Sequence, residues 1–160
     1  MKVSRNSSLI SGFTPYIYDY MLDLVTLSGY SKFIKKVIER MGISEGEFIL
    51  DLGSGTGKNL LMIYPYVKKT GLIVGVEKSK DMIRISRKRT KKFCNIDVLE
   101  TSITEPFMVE KKGNFLAINR RAENGFNFHK VFISFILHGL SPLERLKLFR
   151  NASANLNDDG

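Results

Sequence analysis

Three glycines at alternate positions, Gly53, Gly55 and Gly57, follow two residues behind an aspartate, Asp51, in the stretch FILDLGSGTGKNL (residues 48–60). Glycines so spaced let the backbone turn sharply and let a ligand approach with no Cβ in the way. A second carboxylate, Glu77, closes the next apolar run, 20 residues beyond Gly57. A carboxylate in that place can accept both hydroxyls of a ribose in charge-assisted hydrogen bonds. Asp51 would repel a pyrophosphate and favour a cation. The spacing G-x-G-x-G also differs from the G-x-G-x-x-G that seats a pyrophosphate on a helix N-terminus. A ligand that is a nucleoside, carries positive charge and lacks a phosphate satisfies all three conditions.

The elements around these residues follow from periodicity. EFILDLG and GLIVGVE (residues 71–77) read as short buried strands, and a helix is expected from about Gly57, ended or kinked at Pro65. Ser79 can cap the next helix, with Asp81 in its first turn. CNIDVLE is a weaker third strand that starts at Cys94, a small residue expected to be buried, and KVFISFIL (residues 130–137) is a fourth. Ser141, Pro142 and Glu144 open a last helix with a capping box, with Leu146, Phe149, Ser153 and Leu156 expected on its inner stripe. Two helical stripes precede the first strand, one with Tyr16, Ile17, Tyr20, Met21 and Leu24. The other has Phe33, Ile34, Val37, Ile38 and Met41, capped by Ser31 and ended by Gly42.

Strand alternating with helix, with apolar strands throughout, means an α/β fold with a mostly parallel sheet and helices on both faces. We expect one domain over residues 1–160, with a helical segment at 1–44, a core at 45–160 and an insert at 107–129. Within the insert, NFLAINRRAENGFNF suggests a hairpin turning at Asn124-Gly125, and a surface loop is the alternative.

The composition, 43% apolar and 26% charged, is that of an ordinary globular protein, and no apolar run reaches the roughly 20 residues of a membrane span. The start MKVSRNSSLISGF has no secretory pattern, so a cytoplasmic location is expected. The single cysteine forms no internal disulfide, fits a reducing compartment and supplies no metal cluster. Net charge is +9, and residues 78–92, KSKDMIRISRKRTKK, hold eight Lys or Arg against Asp81 alone. Such a helix reads first as a solvated face, with attraction of nucleic acid or an anionic membrane as the alternative.

S-adenosylmethionine, with an ammonium and a sulfonium on an adenosine, meets the ligand conditions. The stretches ILDLGSGTG, IVGVEKSKDMI, VLETSITEPF, FISFILHGLS and LFRNASANLNDDG, in this order, resemble those of class I S-adenosylmethionine-dependent methyltransferases. The chain is most similar to the small-molecule branch that includes the ubiquinone and menaquinone C-methyltransferases, and YIYDYMLDL resembles a segment ahead of the core in that branch.

The resemblance implies a Rossmann-like fold and a role for each matching residue. Asp51 and the backbone of Gly53, Ser54, Gly55, Thr56 and Gly57 would hold the methionine part. Glu77 would take the ribose hydroxyls, with Lys78 beside it, and Met82 would pack on the adenine. Thr101 stands where the family carries an aspartate for the adenine amino group, with Ser102 next to it. Ser134 and Phe135 would line the cleft, and Tyr18 would close over the methionine carboxylate.

His138 is the candidate general base, against a structural loop histidine; His129, at the other end of the fourth strand, reads as structural. Arg120 and Arg121 read as exposed loop arginines, with an anionic substrate as the alternative. Three departures stand out: Lys130 replaces an aspartate, NDDG replaces Pro-Gly-Gly, and the three last strands of the family sheet have no counterpart. The expected reasons are a truncated product, a fragment, or pairing with another chain through the exposed edge of the fourth strand.

The expected activity is methyl transfer to a small-molecule acceptor by direct displacement, which needs no metal and no catalytic triad. RNA methylation, a nicotinamide oxidoreductase and an inactive cofactor-binding remnant are the competing readings. No Asn/Asp-Pro-Pro-aromatic segment follows the fourth strand, where SFILHG stands instead.

Overall fold

Residues 48–52 and 72–77 are apolar on both sides, so neither can sit at a sheet surface. In the computed structural model, which describes residues 29–112, 115–120 and 126–157, they lie side by side in a parallel sheet. The elements in chain order are α1 (Gly29–Arg40), β1 (Phe48–Leu52), α2 (Lys58–Val67), β2 (Leu72–Glu77), α3 (Lys80–Thr90) and β3 (Ile96–Glu100). They continue with β4 (Met108–Lys112), β5 (Phe115–Asn119), β6 (Lys130–Ile133), a 3₁₀ turn (Leu137–Gly139) and α4 (Pro142–Ala154). The parallel sheet runs β3-β2-β1-β6, and β4 and β5 form a separate antiparallel hairpin.

Side chains alternate across each strand, which divides the core in two. On one face Ile49, Ile73, Val98 and Phe132 pack under α1, α2 and α3 through Ile34, Ile38, Leu60, Ile63 and Ile83. On the other face Leu50, Leu52, Val74 and Val76 meet the hairpin and α4 through Phe107, Val109, Phe128 and Leu148. Each fully buried Leu, Ile or Phe contributes about 2 kcal/mol of transfer free energy. The expected α/β architecture with both faces covered is present.

Several local expectations need correcting. The fourth strand ends at Ile133, not at residue 137, because Phe135 turns the backbone to φ 56 and a 3₁₀ turn follows. Among the described residues β6 pairs only with β1, so its other flank is an edge. Cys94 is exposed in the turn before β3 rather than buried at its start. Ser31 lies inside α1, which already includes Gly29, so it does not stand at the N-cap position; Gly42, at φ 60, does follow the helix end. Phe33 is 57% exposed although it falls on the apolar stripe.

A hairpin is present but not the expected one: Met108–Lys112 pairs with Phe115–Asn119, and the expected turn at Asn124-Gly125 lies outside the described residues. Helix α4 has the capping box expected at Ser141 and Glu144, but its inner face is not the expected one. Leu143, Leu146 and Phe149 are 62%, 47% and 50% exposed, and Ser153 faces solvent too. The buried stripe is Leu148, Asn151, Ala152 and Asn155. Two asparagines define it, because they satisfy backbone groups of the hairpin and of the chain before it. Asn155 accepts from the Val109 N–H (3.0 Å) and donates to Phe107 O (3.1 Å). Asn151 donates to Ile103 O (2.7 Å) and Glu105 O (2.8 Å).

Lys130, in the place of the family aspartate, pairs with Glu47 at 2.6 Å. Burial opposes ionisation of Glu47, but the Lys130 ammonium and the Ser44 N–H hold its carboxyl below the usual range. His129 accepts from the Phe48 N–H at Nδ1 (3.0 Å), a structural role.

Candidate cofactor-binding site

At the carboxyl ends of β1, β2 and β6 the chain leaves a cleft of about 300 Å³. Ligands of open α/β sheets sit at this edge. Gly53, Gly55 and Gly57 all have left-handed backbones, with φ of 79°, 54° and 75°. They are not equivalent. A Cβ on Gly57 would lie 2.2 Å from Ser86 Oγ, so this glycine lets α2 start against α3. A Cβ on Gly55 would meet nothing within 4 Å, so this glycine borders open space. Gly53 and Ser54 donate to Val76 O at 2.8 and 3.0 Å, which pins the loop to the end of β2.

Glu77 lines the cleft and organises its rim. One carboxylate oxygen accepts the backbone N–H groups of Lys78 and Ser79, both at 2.8 Å. The other accepts from the Gly55 N–H at 3.1 Å. A carboxylate can take about four such bonds, so Glu77 retains accepting capacity toward the cleft.

Asp51 is fully buried, on the sheet face that carries Ile49, and lies behind the glycine loop rather than on the cleft wall. Both of its oxygens lack a hydrogen-bond partner. Burial, and to a lesser degree the nearby Glu77 carboxylate, push its pKa up to about 8. A buried carboxyl without a donor is costly to ionise, and a cation placed nearby reverses that.

Of the expected site residues, Gly53, Ser54, Gly55, Thr56, Glu77, Met82, Ser134 and Phe135 do line this cleft. Gly57 sits just outside it, at the α2 start. Lys78 is exposed and is not among the lining residues. Thr101 is buried one strand further on, where its hydroxyl accepts from Arg120 Nη2 (3.1 Å) and its N–H donates to Glu77 O (3.1 Å). Ser102 hydrogen-bonds Thr104 (3.0 Å). His138 is exposed in the 3₁₀ turn and does not line the cleft. Tyr18 and Arg121 lie outside the described residues.

The structure adds residues that the sequence reading passed over. Tyr30 and Lys58 line the cleft, with Lys58 Nζ 5.3 Å from the Tyr30 ring centre. Tyr30 also packs on Phe135 (ring centres 4.9 Å apart), which in turn meets Phe33 edge-on at 6.3 Å. Phe135 holds φ 56, an unfavourable conformation for a bulky side chain, so packing keeps it there. Asn59 donates to Ser134 Oγ (3.0 Å), while its own carbonyl oxygen is buried and partnerless. A polar residue at the start of the apolar helix KNLLMIY was the available signal for Asn59.

The residues fit the expected cofactor. An acidic rim faces the space beside Gly55, a partnerless carboxyl lies behind the loop, and Met82 supplies an apolar wall.

Solved structures similar to this chain share its fold. A SAM dependent methyltransferase from Aquifex aeolicus matches with a TM-score of 0.60 and 20% identity, over 78% of this chain and 58% of that one. Haemonchus contortus phosphoethanolamine N-methyltransferase 1 matches with a TM-score of 0.62 and 16% identity, over 79% of this chain and 23% of that one. Among curated proteins, the demethylmenaquinone methyltransferase of Bacillus licheniformis is 28% identical over 91 residues, 56% of this chain. That of Staphylococcus saprophyticus is 26% identical over 82 residues, 51% of this chain. The matched region spans 39% and 35% of those two relatives. The profile of the ubiE/COQ5 methyltransferase family matches residues 13–117, which contain the whole glycine loop, Glu77 and the strands that carry them. The chain belongs to the ubiE/COQ5 methyltransferase family.

Proposed function

We propose that this chain, as one domain over residues 1–160, binds S-adenosylmethionine in the glycine cleft and serves methyl transfer to a small quinone-type acceptor by direct displacement. The observation that carries the reading is the pairing of Glu77 on the cleft rim with the partnerless Asp51 behind the loop. The sulfonium supplies an electrophilic methyl group whose leaving group needs no acid. The chain's own residues bind, orient and exclude water. Glu77 accepts the ribose hydroxyls, Met82 packs on the adenine, and the Gly53 to Gly57 backbone holds the amino-acid part. Lys58, on the same wall, suits its carboxylate. Asp51 ionises in response to the ligand's positive charge. Tyr30 and Phe135 form an aromatic wall at the mouth, suited to a planar acceptor. The acceptor class rests on the relatives named demethylmenaquinone methyltransferase.

The basic helix supports this reading over RNA methylation. Arg87 donates to Val98 O (2.8 Å) and Arg89 to Thr56 O and Oγ1 (3.0 and 2.7 Å), so two of its cations brace the sheet and the glycine loop. No helix among the described residues is long and apolar enough to cross a membrane. A cytoplasmic location is our reading, and it fits the exposed, unpaired Cys94. Pairing of another strand with the open flank of β6 is our reading of self-association, and sedimentation across a concentration series tests it.

Calorimetric titration with S-adenosylmethionine and its demethylated product tests the cofactor. Saturable binding by folded protein is expected, and silence at millimolar ligand refutes the reading. Methyl transfer from labelled cofactor to a panel of hydroquinones tests the acceptor class.

A further inference from the structure

A second cavity, of about 430 Å³, lies between the β4–β5 hairpin and helix α4, away from the glycine cleft. Its floor is apolar, from Phe107 and Met108. Its walls are cationic. Lys147, Arg150 and Asn151 share one face of α4, spaced i, i+3 and i+4, and Arg120 comes from the end of β5. Arg120 is held by Glu105 (2.5 Å) and Thr101 (3.1 Å). Neither Lys147 nor Arg150 makes an ion pair among the described residues. The neighbouring Glu110 is neutralised by Lys112 at 2.6 Å. Three positive charges therefore line the cavity, with Glu105 paired to Arg120 and Glu144, three residues before Lys147 on α4, within reach of the Lys147 charge.

We propose that this cavity is a binding site for a small organic phosphate, with the phosphate between Lys147, Arg150 and Arg120 and the organic part on Phe107 and Met108. A phosphate monoester carries a charge of about −1.5 to −2 near pH 7 and three acceptor oxygens. The surplus of positive charge lining the cavity complements it, and guanidinium groups fit phosphate oxygens in pairs. The apolar floor selects an ester over the free ion, since inorganic phosphate gains nothing from Phe107 and Met108. Thr101 separates the two cavities, because it accepts from Arg120 and donates to the Glu77 carbonyl. The site is independent of the cofactor reading and stands or falls separately.

The test is titration with phenyl phosphate and with inorganic phosphate at low salt, followed by calorimetry and by the Met108 methyl signal in NMR. Phenyl phosphate should saturate the protein, shift Met108, and bind at least tenfold tighter than inorganic phosphate. The double variant Lys147→Gln, Arg150→Gln alters exposed side chains and should weaken phenyl phosphate tenfold or more with its melting temperature kept. The variant Glu77→Gln should bind phenyl phosphate as the parent does. An absence of saturation, equal affinity for the two phosphates, or unchanged affinity in the double variant overturns the proposal.

Discussion

The two faces of the sheet are built by different means. On the face of α1 to α3, short local signals position everything: a capped helix start at Ser79, glycines at fixed intervals, and strands of uninterrupted apolar residues. On the face of the hairpin and α4, the decisive contacts are long-range and polar. Asn151 and Asn155 tie α4 to the chain between Ile103 and Val109, more than forty residues away. The first face carries the glycine cleft, whose loop, Glu77 and Met82 the family match covers, while Ser134 and Phe135 lie beyond it. The second carries exposed Leu143, Leu146 and Phe149 and a basic cavity. A binding loop set by local chemistry survives changes elsewhere, whereas a region held by a few buried amides depends on each of them.

The comparison can be broken at either end. The largest effect should come from pH acting on Asp51, on the first face. Its folded pKa, about 8, lies above the ordinary carboxyl value of 3.8, so the folded state holds the proton more tightly than the unfolded state. This contribution to stability is present in full below about pH 4 and is lost as the pH rises to about 8, by on the order of 5 kcal/mol. Urea unfolding at several pH values should show this slope in the parent and its removal in Asp51→Asn. Equal slopes would mean that Asp51 is solvated.

Next in size is Gly57→Ala. It forces a Cβ to 2.2 Å of Ser86 Oγ at φ 75, and thermal unfolding should register a loss of ~3 kcal/mol. On the second face, Asn155→Ala removes bonds to Val109 and Phe107 and should cost about 2 kcal/mol. Hydrogen exchange should then accelerate in the hairpin while cofactor affinity holds. If affinity falls with it, the two faces are not separable. The smallest change in stability belongs to Gly55→Ala, about 1 kcal/mol for the left-handed backbone. Its added methyl enters open space beside the cleft, so the main loss should appear in cofactor affinity, tenfold or more by calorimetry.

The sequence was most legible where structure is local. The strands β1 and β2, the glycine loop, Glu77, the Ser79 cap and the Ser141 capping box could all be read directly, because each is decided within a few residues. The inner face of α4 is not legible from apolar residues alone, because the buried stripe includes Asn151 and Asn155. Periodicity alone extends the fourth strand too far, because it does not foresee the left-handed turn at Phe135. Asp51 reads from sequence as a cleft carboxylate, whereas it lies behind the loop, since strand alternation places it on the helix-covered face. Tyr30 reaches the cleft only through the packing of α1 on the core, which spacing alone does not reveal.

The central claim is that Glu77 and Asp51 together receive a cationic adenosine compound. Its most direct test is calorimetry of S-adenosylmethionine binding from pH 6 to pH 9, for the parent, Glu77→Gln and Asp51→Asn. The account predicts affinity that climbs toward pH 8 in the parent, a fall of tenfold or more in Glu77→Gln, and a flat profile in Asp51→Asn. Folded variants that bind as tightly as the parent at every pH would contradict it.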